Sequence, residues 1–116
     1  MTNILKKIIE DKKYSLDLVK KEKSLDILEK NIKEQSFLNF KETIQKNQSV
    51  SLITEIKKAS PSSGILVNNF NHLEIAKMYV NNGATCLSVL TEEKHFLGKL
   101  DYIQDIKKTN KSSNFS

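Results

Sequence analysis

Glu55 and Lys57 are the residues of this 116-residue chain whose types and spacing point most directly to chemistry. They stand two apart at the end of a short, β-branched, apolar run, Val50 to Ile56 (VSLITEI), which leads into Ser60-Pro61-Ser62-Ser63-Gly64. Side chains alternate between the two faces of a strand. Glu55 and Lys57 therefore share one face, and Leu52, Thr54 and Ile56 share the other. An apolar row packs on helices. A row holding a carboxylate and an ammonium needs a partner or a purpose, because unpaired buried charge is costly. The glutamate favours the charged form of the lysine, which keeps a cationic, proton-bearing group available. In a closed parallel sheet, inward residues at the C-terminal end of a strand point into the mouth of a site. On an antiparallel sheet the same pair is a weak, solvent-facing ion pair. Spacing alone leaves both arrangements open.

The other chemistry-bearing residues read more plainly. Cys86 is the single cysteine and lies in an apolar run, Thr85 to Thr91 (TCLSVLT), as a buried structural thiol does. It has no partner for an internal disulfide, which points to a reducing, cytoplasmic setting. His72 and His95 have no nucleophile or metal-ligand set at a recognisable spacing, and both read as surface residues.

Two kinds of element position these residues. Residues 1–48 are rich in Lys and Glu, lack Gly and Pro, and carry helical periodicity, as in Ile4, Leu5, Ile8 and Ile9. They read as three or four short helices, with Ser15, Ser24 and Ser36 as N-caps. From residue 49 the pattern changes. Val50–Ile56 reads as a strand and the Ser-Pro-Ser-Ser-Gly string as a loop. Asn71 to Asn82 reads as a helix, capped by Asn71, with Leu73, Ala76 and Val80 inward and Gly83 at the left-handed C′ position. Thr85 to Thr91 reads as a second strand, and residues 99–108 as a helix. Residues 109–116 form a polar tail without pattern, expected to be disordered. The two strands begin about 35 residues apart, the separation of a βαβ unit, so the fold class is α/β.

Composition narrows the function classes. An apolar fraction of 38% against 28% charged residues is that of a globular chain. No run approaches the roughly 20 apolar residues of a membrane span. Met1 to Lys13 is basic and amphipathic without an apolar core, so no secretory signal is read. The net charge of +5 comes from 19 basic residues, all of them Lys, against 14 acidic ones. Base readers rely on Arg and on stacking aromatics, and here the lysines alternate with Glu and Asp along helices. Neither a nucleic acid nor a membrane is expected as a partner.

Residues 51–64 (SLITEIKKASPSSG) resemble the first barrel strand and loop of indole-3-glycerol phosphate synthases. Residues 87–98 (LSVLTEEKHFLG) resemble the second strand and its loop, with IAKMYVNNGA between them and ILKKIIEDKK resembling the helical segment ahead of the barrel. The resemblance covers about residues 3 to 108. It implies the first two βα units of a TIM (β/α)8 barrel, residues 49–108, behind an N-terminal helical extension, residues 1–48. It implies a lyase of tryptophan biosynthesis that closes the indole ring of 1-(2-carboxyphenylamino)-1-deoxyribulose 5-phosphate with loss of CO2 and water, using no cofactor and no metal. Glu55 matches the glutamate that orders the site's charges and contacts the substrate. Lys57 matches the lysine that holds substrate anions and takes part in acid catalysis. Ser60 and Pro61 match the loop covering the substrate; Leu90 and Phe96 match apolar groups lining the ring pocket.

The chain departs from the family after the second helix. A third strand ending in Lys-Asp-Phe is expected there, but Thr109-Asn-Lys-Ser-Ser-Asn-Phe-Ser116 follows. The later-strand acid, base and phosphate loops are not encoded either. A barrel needs about 250 residues and eight strands. The expectation is therefore a truncated synthase, inactive alone. Two alternatives stay open: one half of a split enzyme whose second chain supplies the remaining strands, and a non-catalytic interaction module.

Overall fold

The computed structural model describes residues 2–33, 37–46 and 49–109, which divide into two compact units, 1–37 and 38–116. In the first, α1 (Thr2–Glu22) is one continuous helix where several short ones were expected. Ser15 does not cap a new helix. Its hydroxyl donates to the Lys12 carbonyl at 2.9 Å, a back-bond that satisfies it within the helix. With no Gly or Pro from Thr2 to Glu22, nothing in the backbone stops propagation. Ser24 does cap α2 (Leu25–Lys30), its Oγ accepting from the N–H of Ile27. Ser36 lies outside the described residues.

In the second unit, α3 (Phe40–Lys46) starts behind Asn39, whose Oδ1 accepts from the N–H of Glu42 at 3.0 Å. β1 (Ile53–Ile56) and β4 (Cys86–Val89) pair in parallel, with Ile53 opposite Cys86, Thr54 opposite Leu87, Glu55 opposite Ser88 and Ile56 opposite Val89. Both strands are shorter than the apolar runs that encode them. At the entrance, side chains add to the backbone pairing: the Thr85 N–H donates to the Leu52 carbonyl at 2.8 Å, Leu52 N–H donates to Thr85 Oγ1 at 2.9 Å, and Ser51 Oγ to the Ile44 carbonyl at 3.0 Å.

The Ser-Pro-Ser-Ser-Gly string is more ordered than a plain loop. It turns a small antiparallel hairpin, β2 (Ala59–Ser60) against β3 (Gly64–Ile65). Pro61 to Ser63 form its tip, and Gly64 closes it at φ 66°, where a side chain is disfavoured.

α4 (His72–Asn81) matches its expected span. Asn71 Oδ1 accepts from the N–H groups of Leu73 and Glu74. Gly83, at φ 92°, ends the helix: its N–H reaches the Val80 carbonyl at 3.2 Å and that of Ala84 the Tyr79 carbonyl at 3.0 Å, the paired bonds of a Schellman motif. α5 (Asp101–Thr109) follows. Residues 110–116 of the polar tail lie outside the described residues.

The core of this unit joins Ile56, Ala76 and Ile106, one residue each from β1, α4 and α5, with Phe70, Leu73, Ile75, Tyr79, Leu87 and Val89 packed around it. Cys86 is buried, as its apolar run implied. His72 is not a plain surface residue. Its Nε2 lies 2.9 Å from Asp105 Oδ2, and its ring stacks on Tyr102 at 4.3 Å, tying the start of α4 to α5. Sequence spacing could not show this, because the partner is 33 residues away and meets it only through packing.

Candidate active site

Strand parity divides β1 between two tasks. Ile56 is 1% exposed against the helices. Glu55 and Lys57, on either side of it, project to the opposite face, and Lys57 Nζ lies 3.2 Å from Glu55 Oε1. The pairing is parallel, so the antiparallel arrangement left open by the sequence does not apply. The two side chains keep 49% and 33% of their surfaces exposed, a half-open corner where an ion pair costs little desolvation and gains little stability. Such a pair is available to something else.

The backbone beneath this corner is fixed from the helix side. The Tyr79 hydroxyl of α4 donates to the Glu55 carbonyl at 3.0 Å. Sequence reading gave Tyr79 no role, since its partner lies 24 residues away and is reached only through packing.

Leu90 continues the ladder, its N–H donating to the Ile56 carbonyl at 3.1 Å. Extending the register by one sets Leu90 beside Lys57, on the same face. Ser60 stands on the hairpin just past Lys57; its Oγ accepts from the Ser63 N–H at 3.2 Å and lies 3.4 Å from Ser62 Oγ. Pro61 is exposed at the hairpin tip. Phe96 is half-buried in the turn after β4.

That turn is organised by Glu92, a residue to which sequence analysis assigns no role. Its carboxylate accepts from the backbone N–H groups of Lys94, His95 and Phe96 at 3.0, 2.7 and 2.9 Å. Burial pushes its pKa up, but the bonds from His95, Phe96 and Lys94, with the nearby charge of His95, outweigh this and hold it below the usual glutamate value. His95, expected at the surface, is half-buried and joined to this turn through its backbone N–H. The signal for Glu92 was a carboxylate just past a strand, but Glu93 beside it carries the same signal. Among the described residues, no group of three or more His, Cys, Asp and Glu side chains could hold a metal ion.

The family model described as "Indole-3-glycerol phosphate synthase" matches residues 5–114. The chain belongs to the indole-3-glycerol phosphate synthase family. The match runs past residue 108, where the resemblance was expected to stop, into the polar tail. Relatives bearing the name indole-3-glycerol phosphate synthase agree. One from Clostridium acetobutylicum is 42% identical over 109 residues, covering 92% of this chain and 41% of the relative. One from Desulforamulus reducens is 54% identical over 69 residues, covering 60% of this chain and 26% of the relative. One from Aliarcobacter butzleri is 43% identical over 109 residues, covering 90% and 41%. The chain thus spans about two fifths of the length of the Clostridium acetobutylicum and Aliarcobacter butzleri synthases.

Proposed function

We propose that this chain contributes one corner of an indole-3-glycerol phosphate synthase site. The reaction is ring closure of 1-(2-carboxyphenylamino)-1-deoxyribulose 5-phosphate, with loss of CO2 and water. The observation that carries the reading is the Glu55–Lys57 pair, 3.2 Å apart, turned away from the helices at the C-terminal end of a parallel strand. That is where sites form on parallel barrels. Membership of the family supports it.

In this reading residues 49–108 are the first two βα units of a (β/α)8 barrel, and residues 1–48 a helical extension ahead of it. The remaining strands, on this polypeptide or another, add at the free edges of β1 and β4. Lys57 holds a substrate anion and serves as a proton source. Glu55 pairs with Lys57 and contacts the substrate. Ser60 and Pro61 cover the substrate from the hairpin; Leu90 and Phe96 wall the aromatic ring, so that the two ends of a flexible molecule are held within reach of each other. No cofactor or metal enters the chemistry. Residues 1–116 taken alone are inactive, because the half-open Glu55–Lys57 corner does not enclose a substrate.

A chimera tests the reading. This chain replaces the stretch that it matches in the Clostridium acetobutylicum synthase, and indole-3-glycerol phosphate formation is followed. The chimera is expected to turn over, and Lys57→Ala to lower kcat by at least about 100-fold, the scale of a positioned proton donor. Activity of the Lys57→Ala chimera within about threefold of its parent would remove the assignment. Turnover by residues 1–116 alone, above a Lys57→Ala control, would remove the claim of inactivity.

A further inference from the structure

The turn from Glu92 to Gly98 is pinned at both ends to the exit of β4. At its start, the two oxygens of one carboxylate accept from three successive backbone N–H groups: Lys94 on Oε1, His95 and Phe96 on Oε2. At its end, the Gly98 N–H donates to the Glu92 carbonyl at 2.8 Å. Gly98 is buried, and a Cβ there would overlap the Leu90 carbonyl oxygen and sit 2.9 Å from the Leu90 carbonyl carbon. Between the two anchors Leu97 adopts φ 53°. A side chain other than Gly holds such a conformation only where its surroundings over-determine it.

These observations single out one side chain. Without the carboxylate, the N–H groups of residues 94 to 96 lose the acceptor that gathers them, and the anchor at Gly98 is left to hold the turn around Leu97. Phe96 is tied in by its own N–H, so the backbone that carries its ring is held by the carboxylate. We propose that Glu92 is a positioning residue, which fixes the 92–98 turn and through it presents the Phe96 ring as a wall of the aromatic subsite. The meaning given to Phe96 rests on the proposed synthase function. The hold of Glu92 on the turn does not.

The two parts are tested separately on the full 116-residue chain. Amide hydrogen exchange is measured by NMR for the chain and for Glu92→Gln and Glu92→Asp. Glutamine replaces one acceptor oxygen with an NH2 group that faces a backbone donor, whereas aspartate keeps both oxygens at the same turn. Exchange at residues 94–96 is expected to quicken about 10-fold or more in Glu92→Gln, to recover most of its protection in Glu92→Asp, and to stay unchanged at Ile56 and Ile106. Unchanged exchange at 94–96 in Glu92→Gln, or equal loss in core and turn, overturns the proposal.

The second measurement uses millimolar 2-aminobenzoate as the aromatic-carboxylate probe. Shifts of the Phe96 ring are expected in the parent chain and are expected to fall at least threefold in Glu92→Gln at equal probe concentration. Equal Phe96 shifts in both overturn the positioning role. No binding by the parent counts against the substrate-site reading and leaves Glu92 decided by exchange.

Discussion

Replacing Ile56 tests the division of β1 between core and site. Ile56 is the largest fully buried side chain among the described residues and meets Ala76 and Ile106 across the helix face. Ile56→Ala removes three methylene equivalents, worth about 2.4 kcal/mol at roughly 0.8 kcal/mol each. Incomplete collapse of the site adds a cavity cost, giving about 3 kcal/mol. Ile56→Val removes one methylene and costs about 1 kcal/mol. Ile53 lies on the opposite face and is 52% exposed, so Ile53→Ala loses about half the transfer energy, roughly 1 kcal/mol, and leaves no closed cavity. Urea unfolding followed at 222 nm gives the three differences if the slope stays constant. If Ile56→Ala does not fold, Ile56→Val against Ile53→Val carries the comparison. An Ile53 substitution as costly as the matching Ile56 substitution refutes the parity argument, and with it the placement of Glu55 and Lys57 on the open face.

Two further outcomes follow from particular contacts. Gly98→Ala forces a Cβ into the Leu90 carbonyl and is expected to cost about 1–3 kcal/mol, as overpacking does. Gly83→Ala meets open space and pays only for φ 92°, about 1 kcal/mol. Thermal melts of the two variants rank them, and a Gly98→Ala chain as stable as the parent contradicts the close approach. Glu92 gives a pH dependence. Its native pKa is lowered, so its stabilisation is fully present above the ordinary glutamate value of about 4.3 and is lost as pH falls through the native value. The difference in urea midpoint between the chain and Glu92→Gln is therefore expected to shrink between pH 6 and pH 3; a constant difference contradicts the assignment.

Local signals were read well where one residue type answers one local need. Asn71 caps α4 because a short side-chain oxygen reaches the N–H groups of residues 73 and 74, and Gly83 ends it because only Gly adopts φ 92° at little cost. Ser15 was misread because a serine hydroxyl serves equally as a cap or as a back-bond inside a helix. The β2–β3 hairpin was missed because its paired residues are too few to show alternation.

The sequence by itself determined that β1 has an apolar face and a charged face, that α4 runs from Asn71 to Gly83, and that the chain belongs with the indole-3-glycerol phosphate synthases. All three rest on short-range periodicity or on runs of residue types. Only the tertiary structure decided the register of β1 against β4, that His72 meets Asp105, that Tyr79 holds the Glu55 carbonyl, and that Glu92 rather than Glu93 gathers the turn carrying Phe96. The first three are contacts between residues 24 to 33 positions apart, and chain spacing does not specify such contacts. The last is a choice between neighbouring carboxylates of equal chemistry, which is settled by where the backbone donors of one turn converge.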